Sequence, residues 1–152
     1  MGYTVQSARD MVALGMSGIG DVQGLFVQNT KKLPEYHAAI EAGRFPIERG
    51  YALDADDALR RHVITALMCN GHLDVRDVEA RFGVAFADYF APELAALAAP
   101  GAPQADGLVA VGPDAVEVTP AGRLFVRNVC MVFDRYLAAR TGGATPVFSR
   151  TV

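Results

Sequence analysis

DGLVAVGPDAVEVTPAGRLFVRNVCMVFDRY, residues 106–136, carries two structural signals back to back, a β-hairpin and a capped helix. Leu108 and Val109 precede a Gly112-Pro113-Asp114 turn, and Val116 and Val118 then alternate around Glu117, the period of a half-buried strand. Thr119 is a good N-cap, and Pro120 follows at the first helical position, where a missing N–H costs nothing. Phe125, Val129, Val132, Phe133 and Tyr136 then trace one stripe of an amphipathic helix.

Upstream of this unit the chain reads as helices. Asp54 and Asp57 resemble a capping pair, and Leu59, Val63, Ala66, Leu67 and Asn70 form one face up to a stop at Gly71. Asp74 caps a shorter helix with Val75, Val78 and Phe82 inward and Gly83 as its end. Residues 86–97 form a third helical pattern, interrupted by Pro92, and a Pro/Gly/Ala loop at 100–105 leads to the hairpin. Three helices, a two-stranded wing and a long helix is the order of a winged-helix domain, a fold that commonly reads DNA.

The charges oppose that use. The third helical pattern, FADYFAPELAALAA, contains no basic residue and no amide, and Asp88 and Glu93 would repel phosphates. The wing tip offers only Asp114, and 14 basic against 17 acidic residues leave a net charge of -3. No nucleic-acid partner is expected, and a DNA-binding module stays as the alternative carried by fold analogy alone.

Towards the N-terminus, residues 10–20 read as an apolar strand-like segment ending in a turn at Gly15, Gly18 and Gly20, without the spacing of a dinucleotide fingerprint. Leu25, Phe26 and Val27 suggest a strand. A helix opens at Leu33-Pro34-Glu35 and closes at Gly43, and residues 44–53 form an extended connector. The 152 residues, 51% of them hydrophobic, suit one soluble domain or one domain with a remnant of another. No apolar run nears the ~20 residues that cross a bilayer, and residues 1–10 lack a signal core, so a cytoplasmic protein without membrane contact is expected. Cys69 and Cys130 read as buried reduced thiols, and His37, His62 and His72 are too scattered to ligate a metal. His62 reads as a surface or capping histidine rather than a proton donor, and Tyr3, Tyr36, Tyr51, Tyr89 and Tyr136 as core or interface aromatics.

Seven stretches taken in order, GYTVQSARDMVALGMSGIG, FVQNTKKLPEYHAAI, RGYALDADDALRRHVITALMCN, FADYF, DGLVAV, VTPAGRLFVRNVCMVFDRYL and FSRTV, resemble the C-terminal portion of the oxygen-independent coproporphyrinogen III oxidases, radical-SAM enzymes of haem biosynthesis. The resemblance implies that residues 1–49 are the end of the radical-SAM barrel and its connector, and 50–152 a helical, winged-helix-like cap on the substrate side. The fold class expected is therefore mainly α with a small β component. The family converts coproporphyrinogen III to protoporphyrinogen IX using S-adenosylmethionine and a 4Fe-4S cluster bound by three closely spaced cysteines of the barrel. Two distant cysteines cannot hold that cluster, so no cofactor is expected on this chain alone, no catalytic residue or metal ligand is assigned, and activity without the barrel is not expected.

The resemblance places Ile19 near S-adenosylmethionine, with Ser17 and Gly18 beside it. A substrate with four propionates calls for guanidinium groups, which grip carboxylates bidentately. Arg123, Arg127, Arg60, Arg61 and Arg150 are the candidates, against the plainer reading that Arg60 and Arg61 pair with Asp56, Asp57 or other acids and that Arg123 and Arg127 form a solvated or ion-paired face. The partners implied are coproporphyrinogen III and the barrel, with self-association expected of a chain that lacks its barrel. A stand-alone tetrapyrrole-binding protein is the second alternative.

Overall fold

A computed structural model describes residues 10–137; Arg140, Arg150 and the expected terminal plug at Val147 and Phe148 lie outside the described residues. The chain divides between Ala58 and Leu59 into two compact units, whose described parts are 10–58 and 59–137. Helices predominate, with two three-stranded antiparallel sheets.

In the first unit β1 (Ile19–Val22), β2 (Leu25–Asn29) and β3 (Ile47–Ala52) form a sheet in that order, and α1 (Leu33–Glu41) connects β2 to β3. Gln23 and Gly24 both have positive φ, +49° and +79°, which gives the β1–β2 hairpin its two-residue turn. Residues 44–53, expected as a connector, contain strand β3, paired along β2 from Leu25 opposite Ala52 to Asn29 opposite Ile47. Gly20, expected in a turn, lies inside β1. A Cβ there would stand 3.0 Å from Val27 Cγ2 and 3.1 Å from Met11 O, so glycine admits the bridge between Met11 and Asp21. Pro34 sits in the first turn of α1, and the chain leaves that helix through Gly43 at φ +67°.

Helix α2 (Ala55–Asn70) begins with a reciprocal cap: Asp57 N donates to Asp54 Oδ1, and Asp54 N donates to Asp57 Oδ2. It leads into the second unit, where β4 (His72–Asp74), α3 (Val75–Phe82), α4 (Phe86–Tyr89), α5 (Ala91–Ala98), β5 (Val109–Val111) and β6 (Ala115–Val118) follow. Asp74 Oδ1 accepts from the backbone of Arg76 and Asp77, and α3 ends at Gly83 in the left-handed region, both as the sequence indicates. The third helical pattern is two helices separated at Phe90, with Pro92 in the first turn of the second. Glu79 Oε1 accepts from Phe86 N and so caps α4, which has no capping side chain of its own at Ala85.

The hairpin forms as expected, with Val116 and Val118 buried and Glu117 exposed between them. It is joined by β4, so the sheet runs β4-β6-β5. The core of this unit gathers Leu59, Val63 and Leu67 of α2, Val78, Phe90, Leu97, Val116, Val129 and Phe133. Ring centroids of Phe86 and Phe90 lie 5.0 Å apart and those of Phe90 and Phe133 5.4 Å, the latter edge-to-face.

The expected long helix after the hairpin is a correction. Thr119 does cap its start, accepting from Gly122 N at 3.0 Å, but the first turn, Gly122–Phe125, is a 3-10 helix. Helix α6 covers Val126–Val132, and the chain turns at Phe133 before helical conformation resumes at Arg135. Asp134 Oδ1 accepts from Tyr136 N and Leu137 N, the pattern of a new N-cap, which makes the break a local one. Phe125 and Tyr136, expected on the inward stripe, are exposed.

Candidate functional site

The five arginines singled out from the sequence meet different fates. Arg60 is turned inward, its side chain 15% exposed. Its Nη1 donates to Glu93 Oε1 at 2.7 Å and to Phe133 O at 3.1 Å, and its guanidinium carbon lies 5.3 Å from the centre of the Phe90 ring. One acid that it meets is Glu93 of α5, in line with the reading that Arg60 pairs with an acid. A buried pair of this kind ties α2, α5 and the end of α6 together.

Arg123 makes the converse link. Its Nη2 donates to Asn70 O at 3.2 Å, closing the C-terminal end of α2, and it lies across Gly71, where a Cβ would stand 2.9 Å from that nitrogen. Each of α2 and the segment 122–133 thus supplies an arginine to a carbonyl at the other's end. Arg61 and Arg127 have exposed side chains, and Arg150 lies outside the described residues.

What the second unit does assemble is a mixed outer surface along the 3-10 turn and α6. Leu124 is 85% exposed and Phe125 51%, with Met131 also exposed, and Arg123, Arg127 and Asn128 stand exposed among them. Apolar area interleaved with guanidinium and amide groups offers both apolar contact and donors to anionic groups. The wing tip is different: Arg76 of α3 pairs with its Asp114 at 2.9 Å, so this cation is matched by an acid.

Ser17, Gly18 and Ile19 form a corner at the entry to β1. Ser17 adopts φ +54°, and Ile19 is 48% exposed. A Cβ at Gly18 would meet Ala13 Cβ at 3.0 Å and Gly15 O at 3.2 Å, so this glycine answers to its own turn. Nothing in the sequence marked Asn29, which is buried and donates to Ala13 O and Gly15 O of the same corner. A polar residue closing an apolar strand was the available signal.

The two cysteines differ in environment. Cys130 is buried, with Sγ donating to Ile64 O at 3.7 Å, and burial pushes its thiol up to about 12. Cys69 is half-buried and Asp77 contacts His62 at 3.2 Å, but among the described residues no group of three or more His, Cys, Asp or Glu could hold a metal ion. Likewise no helix among the described residues is long and apolar enough to cross a membrane.

The sequence of the helical unit that carries the β4-β6-β5 sheet matches a recognised class: residues 53–125 fit the family described as the HemN C-terminal domain. Over 152 residues the chain is 41% identical to the oxygen-independent coproporphyrinogen III oxidase of Escherichia coli K12, covering 99% of this chain and 32% of that protein. The enzyme of the same name from Thermostichus vulcanus is 41% identical over 142 residues, 93% of this chain and 43% of that one. The solved structure of coproporphyrinogen III oxidase (HemN) from Escherichia coli, described as a radical SAM enzyme, superposes with a TM-score of 0.80 at 42% identity, over 89% of this chain and 30% of that one. The chain matches the C-terminal part of the oxygen-independent coproporphyrinogen III oxidases at about 40% identity and spans about a third of the length of most of the relatives it matches.

Proposed function

We propose that this chain is the substrate-side cap of an oxygen-independent coproporphyrinogen III oxidase, the enzyme that decarboxylates two propionates of coproporphyrinogen III to give protoporphyrinogen IX. On this reading residues 1–49 end the radical-SAM barrel and lead out of it, and 50–152 form a winged-helix-like cap. The sheet order β4-β6-β5, with the first strand lying between two helices in sequence, supports the winged-helix comparison.

The observation that carries the substrate reading is the outer surface of 123–131, where Leu124, Phe125 and Met131 offer apolar contact and Arg127 a guanidinium for a propionate. Arg123, Arg61 and Arg60 belong to the same proposal; in this structure Arg123 donates to Asn70 O, and Arg60 to Glu93 and Phe133 O. Arg150 is carried by the resemblance alone.

The family's cofactors are S-adenosylmethionine and a 4Fe-4S cluster. Cysteine thiolates hold such clusters, and a chain with two cysteines 61 residues apart in sequence, one of them buried, does not fit one. The cluster and the radical chemistry therefore belong to the barrel of the longer protein. Ile19 does suit the flat face of an adenine, since its half-exposed aliphatic side chain stands at the mouth of β1. The apolar side chains that the 10–58 unit leaves exposed, Val12, Leu14 and Phe45 foremost, suit a surface covered by the rest of the protein.

Arg127→Ala in the full-length enzyme tests the site. A lost charge-assisted hydrogen bond of about 1.5–3 kcal/mol raises the apparent KM for coproporphyrinogen III about tenfold or more. An unchanged KM removes Arg127 from the site. Titration of the present chain with coproporphyrin III, followed by its absorbance, separates this from a stand-alone tetrapyrrole binder, which responds without any barrel.

A further inference from the structure

The corner at 13–19 is held from three directions. Asn29, at the end of β2 and 7% exposed, donates through Nδ2 to Ala13 O at 3.3 Å and Gly15 O at 2.9 Å. Tyr36 of α1 accepts from Gly15 N through its hydroxyl at 3.2 Å. The backbone of Thr30 accepts from Ser17 N at 3.0 Å, and Asn29 N donates to Gly18 O at 2.9 Å. Thr30 is itself fixed, its hydroxyl donating to Glu35 Oε2 at 3.1 Å and accepting from Lys32 N at 3.2 Å.

A turn leading into a strand requires none of this. The corner has two left-handed residues, Gly15 at φ +91° and Ser17 at φ +54°, and a non-glycine residue keeps that conformation only when its surroundings impose it. The Asn29 amide turns two loop carbonyls inward, and both Ser17 and Ile19 face outward. Asparagine suits this position because one amide nitrogen carries two donors, enough for both carbonyls.

We infer that Asn29 and Tyr36 are positioning residues, a brace that sets the Gly15–Ser17 corner and thereby presents Ile19 to an adenosyl ligand. The presentation rests on the cofactor reading of Ser17, Gly18 and Ile19; the brace rests on the geometry alone. Neither side chain touches the ligand in this scheme. Asn29→Asp keeps the shape and removes both donors, and Tyr36→Phe removes the acceptor.

The test uses this chain with labelled amides and isoleucine methyls. Amide exchange at Gly15 and Ser17 is expected to quicken at least about tenfold in either variant, the scale of one lost hydrogen bond, while Val116 and Val118 of β6 keep their protection. Unchanged exchange at the corner overturns the brace. In the full-length enzyme carrying the same substitutions, S-adenosylmethionine is then titrated while the Ile19 methyl signal is followed, a readout that loss of stability elsewhere does not move. A response in the wild type that weakens about tenfold in Asn29→Asp supports positioning. An equal response in a variant with a loosened corner overturns it. A silent Ile19 in the wild type refutes the cofactor reading and the presentation with it, and the exchange data then decide the brace by themselves.

Discussion

Residues 59–137 and 10–58 solve the problem of holding a chain together in opposite ways. The first encloses a continuous apolar cluster from Leu59 to Phe133, with Phe90, Val63 and Val129 fully buried. In the second, Ala39 is the buried hydrophobic residue among those described, while Val12, Leu14 and Phe45 are 70%, 89% and 83% exposed. Its order comes from strand pairing and from polar side chains spent on backbone, Asn29 and Thr30 above all. The contrast teaches that apolar residues in one chain can be spent in two ways, one set turned on itself and one left at the surface.

The sharpest way to break the 59–137 unit is at Gly122. A Cβ there would lie 1.8 Å from Leu108 O, a backbone atom that also accepts from Thr119 N, so no rotamer change relieves the clash. Gly122→Ala is expected to cost about 3 kcal/mol or more, read as a collapse of the urea midpoint, whereas Gly24→Ala, with open space around it but φ +79°, strains only its own hairpin.

A smaller effect separates two adjacent arginines. Arg60→Ala strands Glu93, whose second carboxylate oxygen is already buried without a partner, and is expected to cost about 2–4 kcal/mol. Arg61→Ala, at an exposed position, should stay within about 0.5 kcal/mol. Replacing Arg60 and Glu93 together by Met and Leu should recover most of the loss in the same denaturation assay; a double variant as weak as the single one would show that the pair does more than neutralise itself.

The smallest effect on stability belongs to the 10–58 unit. Leu14→Ser is expected to leave the urea midpoint within about 0.5 kcal/mol and to reduce self-association in sedimentation. A large loss of stability there would mean that Leu14 packs within the unit after all.

Much of this was legible because the signals were local. Asp54 with Asp57, Asp74, Gly83 and Thr119 act within four residues of themselves, and all perform the capping or stopping roles that their identities suggest. The hairpin was legible for the same reason. Strand β4 was not: His72–Asp74 has a single buried apolar residue, Leu73, too few to show a period, and its partner β6 begins at Ala115. The break at Phe133 was hidden because an apolar stripe continues across it, although Asp134 held the capping signal. Nor do the roles of Arg60 and Arg123 show in sequence, since the carbonyls they meet lie 73 and 53 residues away.

The exchange of arginines between α2 and the 122–133 segment has one more consequence. Arg60 reaches Phe133 O and Arg123 reaches Asn70 O, so each helix terminus is finished only while the other is in place. A slip of one turn along either axis, about 5.4 Å, would undo both contacts together. The pair therefore works as a mutual register lock, and the two helices are expected to open as one cooperative block rather than fraying singly from their ends.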